Sequence, residues 1–282
     1  MQLSATFDEQ ILKTLSDDQW FDFCTGHHIQ SLEYSPEPSV LAFEDYKRLL
    51  NKQQSLNINT TFHVPYFAKK FNNKARAYDL SYFKTSPLDF KDQYDILLEY
   101  IYLYGEKTLL TFHGAGRLET YGTQAYDISR DTTWFAIDYL LGQITKRGLP
   151  LTLCAELSGP KSKTYLTTRE EILETIEKFK YSPIKICWDM THDFSQNMSI
   201  DMPSQTFIDA VEHVHIHGIN QAAVKHISLE NSLLDTEKIL TLLKNIGYEK
   251  TLVLELLIHT IGHPQDYLKT LSNNLDQLSK AL

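Results

Sequence analysis

Six short apolar stretches of the chain each end in, or contain, a side chain that can bind a metal or move a proton. His63, His113 and Glu156 each close one. Asp189 closes another and has His192 three residues on. His213, His215 and His217 alternate through the next, and Glu255 lies in the last. A lone His or Glu in such a place is ordinarily just hydrogen-bonded. Six in succession would bury several charges in apolar surroundings, which is costly without compensation. A divalent cation supplies that compensation, and converging carboxylates and imidazoles suit Zn²⁺ or Mn²⁺. Alternation puts His213, His215 and His217 on one face; His215 is the preferred ligand, and His217 stays open as a substitute. His27, His28, His259 and His263 have no comparable support and are read as surface or loop residues.

The elements that position these groups follow from periodicity. β-Branched, apolar runs span Gln2–Phe7, His28–Tyr34, Ile58–Phe62, Leu109–Phe112, Leu151–Ala155, Ile184–Trp188, His213–Ile216 and Leu252–Leu257,. Helical segments lie between them. Ile239, Leu242, Leu243 and Ile246 mark one apolar face. Leu268, Leu271, Leu275, Leu278 and Leu282 mark another,. Thr168 with Glu171 predicts a capping box opening a helix over Glu170–Phe179. Gly148 and Gly247 stand where left-handed residues end helices. Eight strand–helix units predict an α/β fold, a closed (β/α)8 TIM barrel, as one domain over residues 1–282. An open doubly wound sheet is the alternative, but no glycine-rich phosphate fingerprint follows any strand. In such a barrel the site lies at the C-terminal strand ends, where the candidate ligands fall.

Two connections are long, from Val64 to about Asp89 and from Gly114 to about Asp131, and loops of this size are often functional. The first carries Lys69, Lys70, Lys74, Arg76 and Lys84 against Asp79, interleaved with Tyr66, Phe67, Phe71, Tyr78, Tyr82 and Phe83. It reads either as a solvated loop with aromatic feet or as an anion-binding flap.

Composition narrows the class. With 42% hydrophobic residues the chain can bury a large core, so bulk disorder is excluded,. The balance of 27 basic and 36 acidic residues, net −9, disfavours nucleic-acid binding by bulk charge,. Cys24, Cys154 and Cys187 fit buried thiols in a reducing cytosol. No leader or run of about 18 apolar residues is visible, and a soluble cytoplasmic protein with no membrane partner is expected.

The segments His63-Val-Pro-Tyr66, Phe112-His113-Gly114, Ala155-Glu156-Leu157, Cys187-Trp-Asp189-Met-Thr-His192, Val214-His215-Ile216, His226-Ile-Ser-Leu and Val253-Leu-Glu255 together resemble one superfamily. It is that of the xylose-isomerase-like TIM barrels, which includes endonuclease IV and many sugar-phosphate isomerases and epimerases. The resemblance runs from about residue 30 to the end. It implies a core metal held by Glu156, Asp189, His215 and Glu255. It also implies an additional site at His63 and His113 bridged by Glu156, and a third at His192 and His226. Two positions depart from the third site. Val224 stands where the family has an aspartate, and Gly218 and Asn220 stand where an acid follows the seventh-strand histidine.

Two activities are then in view, with one to three Zn²⁺ or Mn²⁺ ions. The favoured one is isomerisation or epimerisation of a sugar or sugar phosphate. Glu156 and Glu255 would exchange a proton through a cis-enediolate stabilised by the metal, and His192 would hold a substrate hydroxyl. Glu33 is a candidate substrate contact, and Arg117, Lys161 and Lys163 could meet a phosphate. The alternative is phosphodiester hydrolysis of the endonuclease IV kind, which would use His63, His113 and Glu156 and place Tyr66 on nucleic acid. Val224 and the acidic segment Ser31-Leu-Glu-Tyr-Ser-Pro-Glu-Pro count against it. A metal-bearing barrel that only binds a ligand is a third reading.

Overall fold

The protein is described by a computed structural model covering residues 1–36, 41–64, 69–71, 74–76, 89–117, 119–160 and 163–282. Eight parallel strands close on themselves: β1 (Gln2–Phe7), β2 (Ser31–Tyr34), β3 (Asn59–His63), β4 (Thr108–Phe112), β5 (Leu151–Glu156), β6 (Ile184–Asp189), β7 (Val211–Ile216) and β8 (Thr251–Leu254). Closure is made by β1 beside β8, with Leu3 opposite Leu252 and Ala5 opposite Leu254. The expected (β/α)8 barrel is therefore the observed fold.

Alternation divides each strand between two environments. On β2 and β6, Tyr34 and Trp188 pack outward, 5.3 Å from the Tyr46 ring on the helix after β2 and 5.6 Å from the Phe207 ring. The alternate positions face the barrel axis and are small or polar: Ser4, Thr6, Ser31, Glu33, Thr61, His63, Thr111, Cys154, Glu156, Cys187 and Asp189, all buried. The apolar core therefore lies between strands and helices, and the axis is left for polar groups.

The enclosing helices are α1 (Asp17–Gly26), α2 (Phe43–Ser55), α3 (Asp89–Tyr104), α4 (Ala125–Arg147), α5 (Arg169–Lys178), α6 (Met190–Asn197), α7 (Gln205–Ala210), α8 (Thr236–Asn245), α9 (Ile258–Ile261) and α10 (Pro264–Ala281). Gly148 ends α4 at φ 63° and Gly247 follows α8 at φ 69°, as their positions predict,. On α10 the leucine stripe buries Leu271, Leu275 and Leu278, together with Tyr267 and Asn274. The three cysteines are buried free thiols.

Several boundaries differ from expectation. The second strand begins at Ser31 because His28 takes a left-handed turn, φ 54°, after α1. The eighth stops at Leu254, though the Glu255 N–H still donates to the Ile216 carbonyl at 2.9 Å. The connection after Gly114 is shorter than its loop-like composition suggests, because α4 has begun by Ala125. The box at α5 is half formed. Thr168 Oγ1 accepts from the Glu171 N–H at 3.2 Å, but the Glu171 carboxylate takes the Thr167 N–H at 2.8 Å and the Arg117 guanidinium. In the basic segment after β3, the described backbone is a short antiparallel pair, Lys69–Phe71 with Lys74–Arg76. The flap reading rests on side chains outside the described residues.

Candidate metal centre

The strand ends converge as the barrel geometry requires. One ligand atom each from Glu156, Asp189, His215 and Glu255 lies within 4.8 Å of the others, and all four residues are buried. Among the described residues, Glu156 Oε1, Asp189 Oδ2 and His215 Nδ1 are buried and make no hydrogen bond. His215 Nδ1 is 3.3 Å from Glu156 Oε1 and 3.6 Å from Glu255 Oε2, yet these groups aim at a common space rather than at one another. Unmade polar contacts in a dry interior are costly. A divalent cation satisfies all of them, and a set of three carboxylates and one imidazole suits such an ion.

The tautomer of His215 follows from its other nitrogen. Nε2 is 3.1 Å from Glu33 Oε2, and a carboxylate only accepts, so Nε2 carries a proton and Nδ1 is the nitrogen that faces the centre,. Glu33 Oε2 also takes His213 Nε2 at 2.8 Å. Depth thus separates the three seventh-strand histidines. His213 lies with Glu33 below the centre, His215 enters it, and His217 stands with His192 and His226 at its outer end.

A second set adjoins the first through Glu156. His63 Nε2 and His113 Nε2 each lie 2.9 Å from Glu156 Oε2. His63 Nδ1 is 2.6 Å from the Val64 carbonyl, which also only accepts, so Nδ1 carries a proton. His63 Nε2 and His113 Nε2 thus meet on one carboxylate oxygen, an arrangement that a cation held among the three would also satisfy. Two ligands bound at about 2.1 Å and at right angles are about 3 Å apart, which matches the spacing found.

The electrostatics carry the same message. Burial opposes ionisation of Glu156, but His113 and His215 hold its pKa well below the ordinary carboxylate value. Burial likewise opposes ionisation of Asp189, which His192 and His217 bring down to about 2. Glu255 is held low by His226 and His215 against burial. Burial resists charge on His215, yet the carboxylates of Glu33 and Glu156 raise its pKa well above the ordinary histidine value. Three carboxylates thus stay ionised in a closed space and draw positive charge. Cys187 lies beside Glu156 and His215, and burial pushes its thiol far up.

Local sequence explains how Asp189 serves two purposes. It is the last residue of β6 and the N-cap of α6, and its Oδ1 accepts the His192 N–H at 2.7 Å while Oδ2 points to the centre,. The cap also fixes His192, whose Nε2 is 3.7 Å from Asp189 Oδ2. His226 arrives on Lys225–Ile227, a strand antiparallel to Gly218–Ile219 over the barrel mouth. It takes a left-handed conformation there, φ 57°.

The candidate substrate contacts fare differently. Glu33 lies beneath the centre, occupied by two imidazoles, rather than facing a ligand. Arg117 turns to α5, where Glu171 neutralises it and Thr167 Oγ1 is 3.4 Å away, so its guanidinium is not presented to the centre. Tyr66 and Lys161 lie outside the described residues. His28, His259 and His263 are exposed and His27 is half-buried. Sequence reasoning missed Lys225, whose Nζ is 3.1 Å from His192 Nδ1. Its only sequence signal was its place beside His226.

The chain matches the family described as xylose isomerase-like TIM barrel over residues 20–278. A search of curated proteins finds no significant match. Among solved structures, D-psicose 3-epimerase from Clostridium cellulolyticum H10 superposes with a TM-score of 0.70 at 14% identity, covering 100% of this chain and 99% of that one. 3-Keto-D-glucoside 4-epimerase from E. coli gives 0.68 at 16% identity, covering 98% and 99%. AP endonuclease, family 2, from Brucella melitensis gives 0.66 at 14%, covering 90% and 92%. At these identities the likeness establishes the shared fold. With the family match spanning nearly the whole barrel, the chain belongs to the xylose isomerase-like TIM barrel family.

Proposed function

We propose that the protein is a divalent-metal-dependent sugar isomerase or epimerase, with Zn²⁺ or Mn²⁺ held by Glu156, Asp189, His215 and Glu255. The observation that carries this is the convergence of Glu156 Oε1, Asp189 Oδ2 and His215 Nδ1, buried and without hydrogen bonds. The two sugar epimerases that share the fold support the choice of substrate class. A bound ion would polarise a carbonyl and its neighbouring hydroxyl, acidifying the carbon-bound proton between them. Glu156 and Glu255 are both held ionised, so either can take the carbon-bound proton as base; the opposite carboxylate can return a proton only after it has taken one up from solvent,. His192 is neutral and reaches the outer end of the centre, where it can bind a substrate hydroxyl.

The test is incorporation of solvent deuterium next to the carbonyl of ketoses and their phosphates, followed by NMR with Mn²⁺ or Zn²⁺ present. Exchange is expected with the wild-type chain. Glu255→Gln is expected to slow it by about 10²–10⁴-fold, the range for a lost general acid–base group. Undiminished exchange in that variant removes Glu255 from the chemistry.

A second reading, phosphoester hydrolysis, is favoured by one observation: His63 and His113 each place Nε2 2.9 Å from Glu156 Oε2 beside the first ligand set. It requires two ions per chain and a phosphoester cleaved in a chelator-sensitive way. DNA carrying abasic sites is the discriminating substrate, and efficient nicking of it is not expected.

A further inference from the structure

His192, His217 and His226 form the outermost group with the donors for a metal ion. We propose that this cluster is closed to metal because Lys225 is its resident cation. The proposal takes the carboxylate-rich set as the ion-binding part of the centre, but its test does not depend on that.

The argument begins with His192. An ammonium is a donor only, so the 3.1 Å contact from Lys225 Nζ to His192 Nδ1 uses the Nδ1 lone pair,. A neutral imidazole whose Nδ1 accepts has its proton on Nε2, leaving no lone pair for an ion at either nitrogen. His192 is thereby a hydrogen-bond donor, with Nε2 turned to Asp189 Oδ2. A fixed positive charge in contact with one of three rings also repels a divalent ion from the other two.

The contact of His217 Nδ1 is with backbone rather than with a fixed charge. His217 Nδ1 lies 3.1 Å from the Gly218 carbonyl and 3.1 Å from the His226 N–H. Accepting that N–H puts the His217 proton on Nε2, 3.2 Å from Asp189 Oδ2, but the Gly218 carbonyl can accept it on Nδ1 instead, and Nε2 is then open to an ion. The rings of His217 and His226 are 4.0 Å apart, close enough to share an ion. What distinguishes the cluster from a metal site is therefore Lys225.

The fold makes room for that ammonium. A β-carbon at Gly159, on the loop after β5, would lie 2.1 Å from Lys225 Nζ and 3.5 Å from His192 Nδ1. The φ of Gly159 is not in the left-handed region, so its requirement is space rather than backbone freedom. The glycine on the loop after β5 leaves the space through which a lysine on the Lys225–Ile227 strand reaches the imidazole nitrogen. The outer end of the centre then offers N–H groups, which suit the hydroxyl or carbonyl oxygens of a substrate, in place of a further ion.

Metal counting tests this. Zn²⁺ per chain is measured by elemental analysis after gel filtration for four proteins: wild type, His226→Gln, Lys225→Met, and the double variant. The wild type and His226→Gln are expected to hold the same number of ions. Lys225→Met is expected to gain one, and the double variant to lose that gain. Loss of an ion on His226→Gln alone, or no gain on Lys225→Met, overturns the proposal. Should Lys225→Met fail to fold, Gly159→Ala displaces the ammonium and is expected to give the same gain. No gain there overturns it as well. The ring ¹⁵N signals of wild-type His192 are expected to place the proton on Nε2, and a proton on Nδ1 contradicts the assignment. A wild-type chain that binds no zinc at all would refute the proposed metal dependence, while the difference between Lys225→Met and the double variant still decides this one.

Discussion

At the scale of single residues, Glu33 shows how a side chain can be legible in kind and not in role. Its charge and place at the end of the second strand are plain in the sequence, and both suggest a substrate contact. Its partners, His213 and His215, are about 180 residues away along the chain, and only closure of the barrel brings them to 2.8 and 3.1 Å. Burial opposes its ionisation, but His215 and His213 bring its pKa down to about 2, so it is a carboxylate throughout the working range. It orients the His215 ring and sets its tautomer, the part an outer partner plays for a ligating histidine. Glu33→Gln is expected to weaken Zn²⁺ or Mn²⁺ binding by about 10–100-fold, the range for such partners, as read by competition with a chelator. Unchanged affinity would leave Glu33 as packing alone. His192 allows a prediction in pH. Burial lowers its pKa, Asp189 raises it and Lys225 lowers it, with a net value of about 3 against an ordinary 6.5. The unfolded chain takes up this proton below about 6.5 and the folded one refuses it until about 3. Stability is therefore complete above 6.5 and is lost as the pH falls across that window. His192→Asn removes the contribution, and its unfolding free energy in chelator should fall less steeply between pH 6 and 4, by up to about 1.4 kcal/mol per pH unit. Parallel acid limbs for the two proteins would show that His192 is already protonated when folded.

At the scale of elements, the sequence declares the strands through their large apolar residues, and these face the helices. The inward residues are Ser, Thr, Cys, Glu, Asp and His, which read as interruptions until the alternation is followed,. That is why six strand-end candidates could be picked out while the depth order of His213, His215 and His217 could not. Depth depends on the register of β7 against β8, where His215 pairs with Val253, and register is a property of the closed sheet,. The loops after the strands were least legible, because their geometry is made by tertiary contact. Gly218 is an example. It opens the strand that pairs with Lys225–Ile227, and a β-carbon there would lie 2.1 Å from the Ser228 carbonyl oxygen and 2.7 Å from that of Ile227. Both obstacles are backbone, so the pair must separate to admit any side chain. Gly218→Ala is expected to cost about 1–3 kcal/mol, the usual range for overpacking, and to lower the unfolding temperature. It should also move Lys225 and His226 from the outer end of the centre while leaving Asp189 and Glu255 in place. An unfolding temperature equal to that of the wild type would mean that the two strands are not held at this spacing.

For the whole molecule, the net charge of −9 conceals where the acids stand. Glu33, Glu156, Asp189 and Glu255 are all buried near the barrel axis, each with its pKa held below the ordinary value. Four carboxylates in one closed space repel one another, and the fold tolerates them only with positive charge among them. Imidazolium can supply some, and the raised pKa values of His215 and His226 express that demand. A divalent ion would supply more, and it would bind the folded chain alone, because the candidate ligands come from four strands that meet only in the barrel. Binding to the native state at 100 times the dissociation constant adds about 2.7 kcal/mol. A domain of this size shifts by about 2–4 °C for each kcal/mol. Removing the ion with a chelator is therefore expected to lower the unfolding temperature by about 5–10 °C, and returning Mn²⁺ or Zn²⁺ should restore it. Glu255→Gln, which lacks one ligand charge, should show a smaller difference between the chelated and loaded states. Were the wild type to unfold at the same temperature in both, the axial carboxylates would be neutralised by protons on their histidines rather than by an ion.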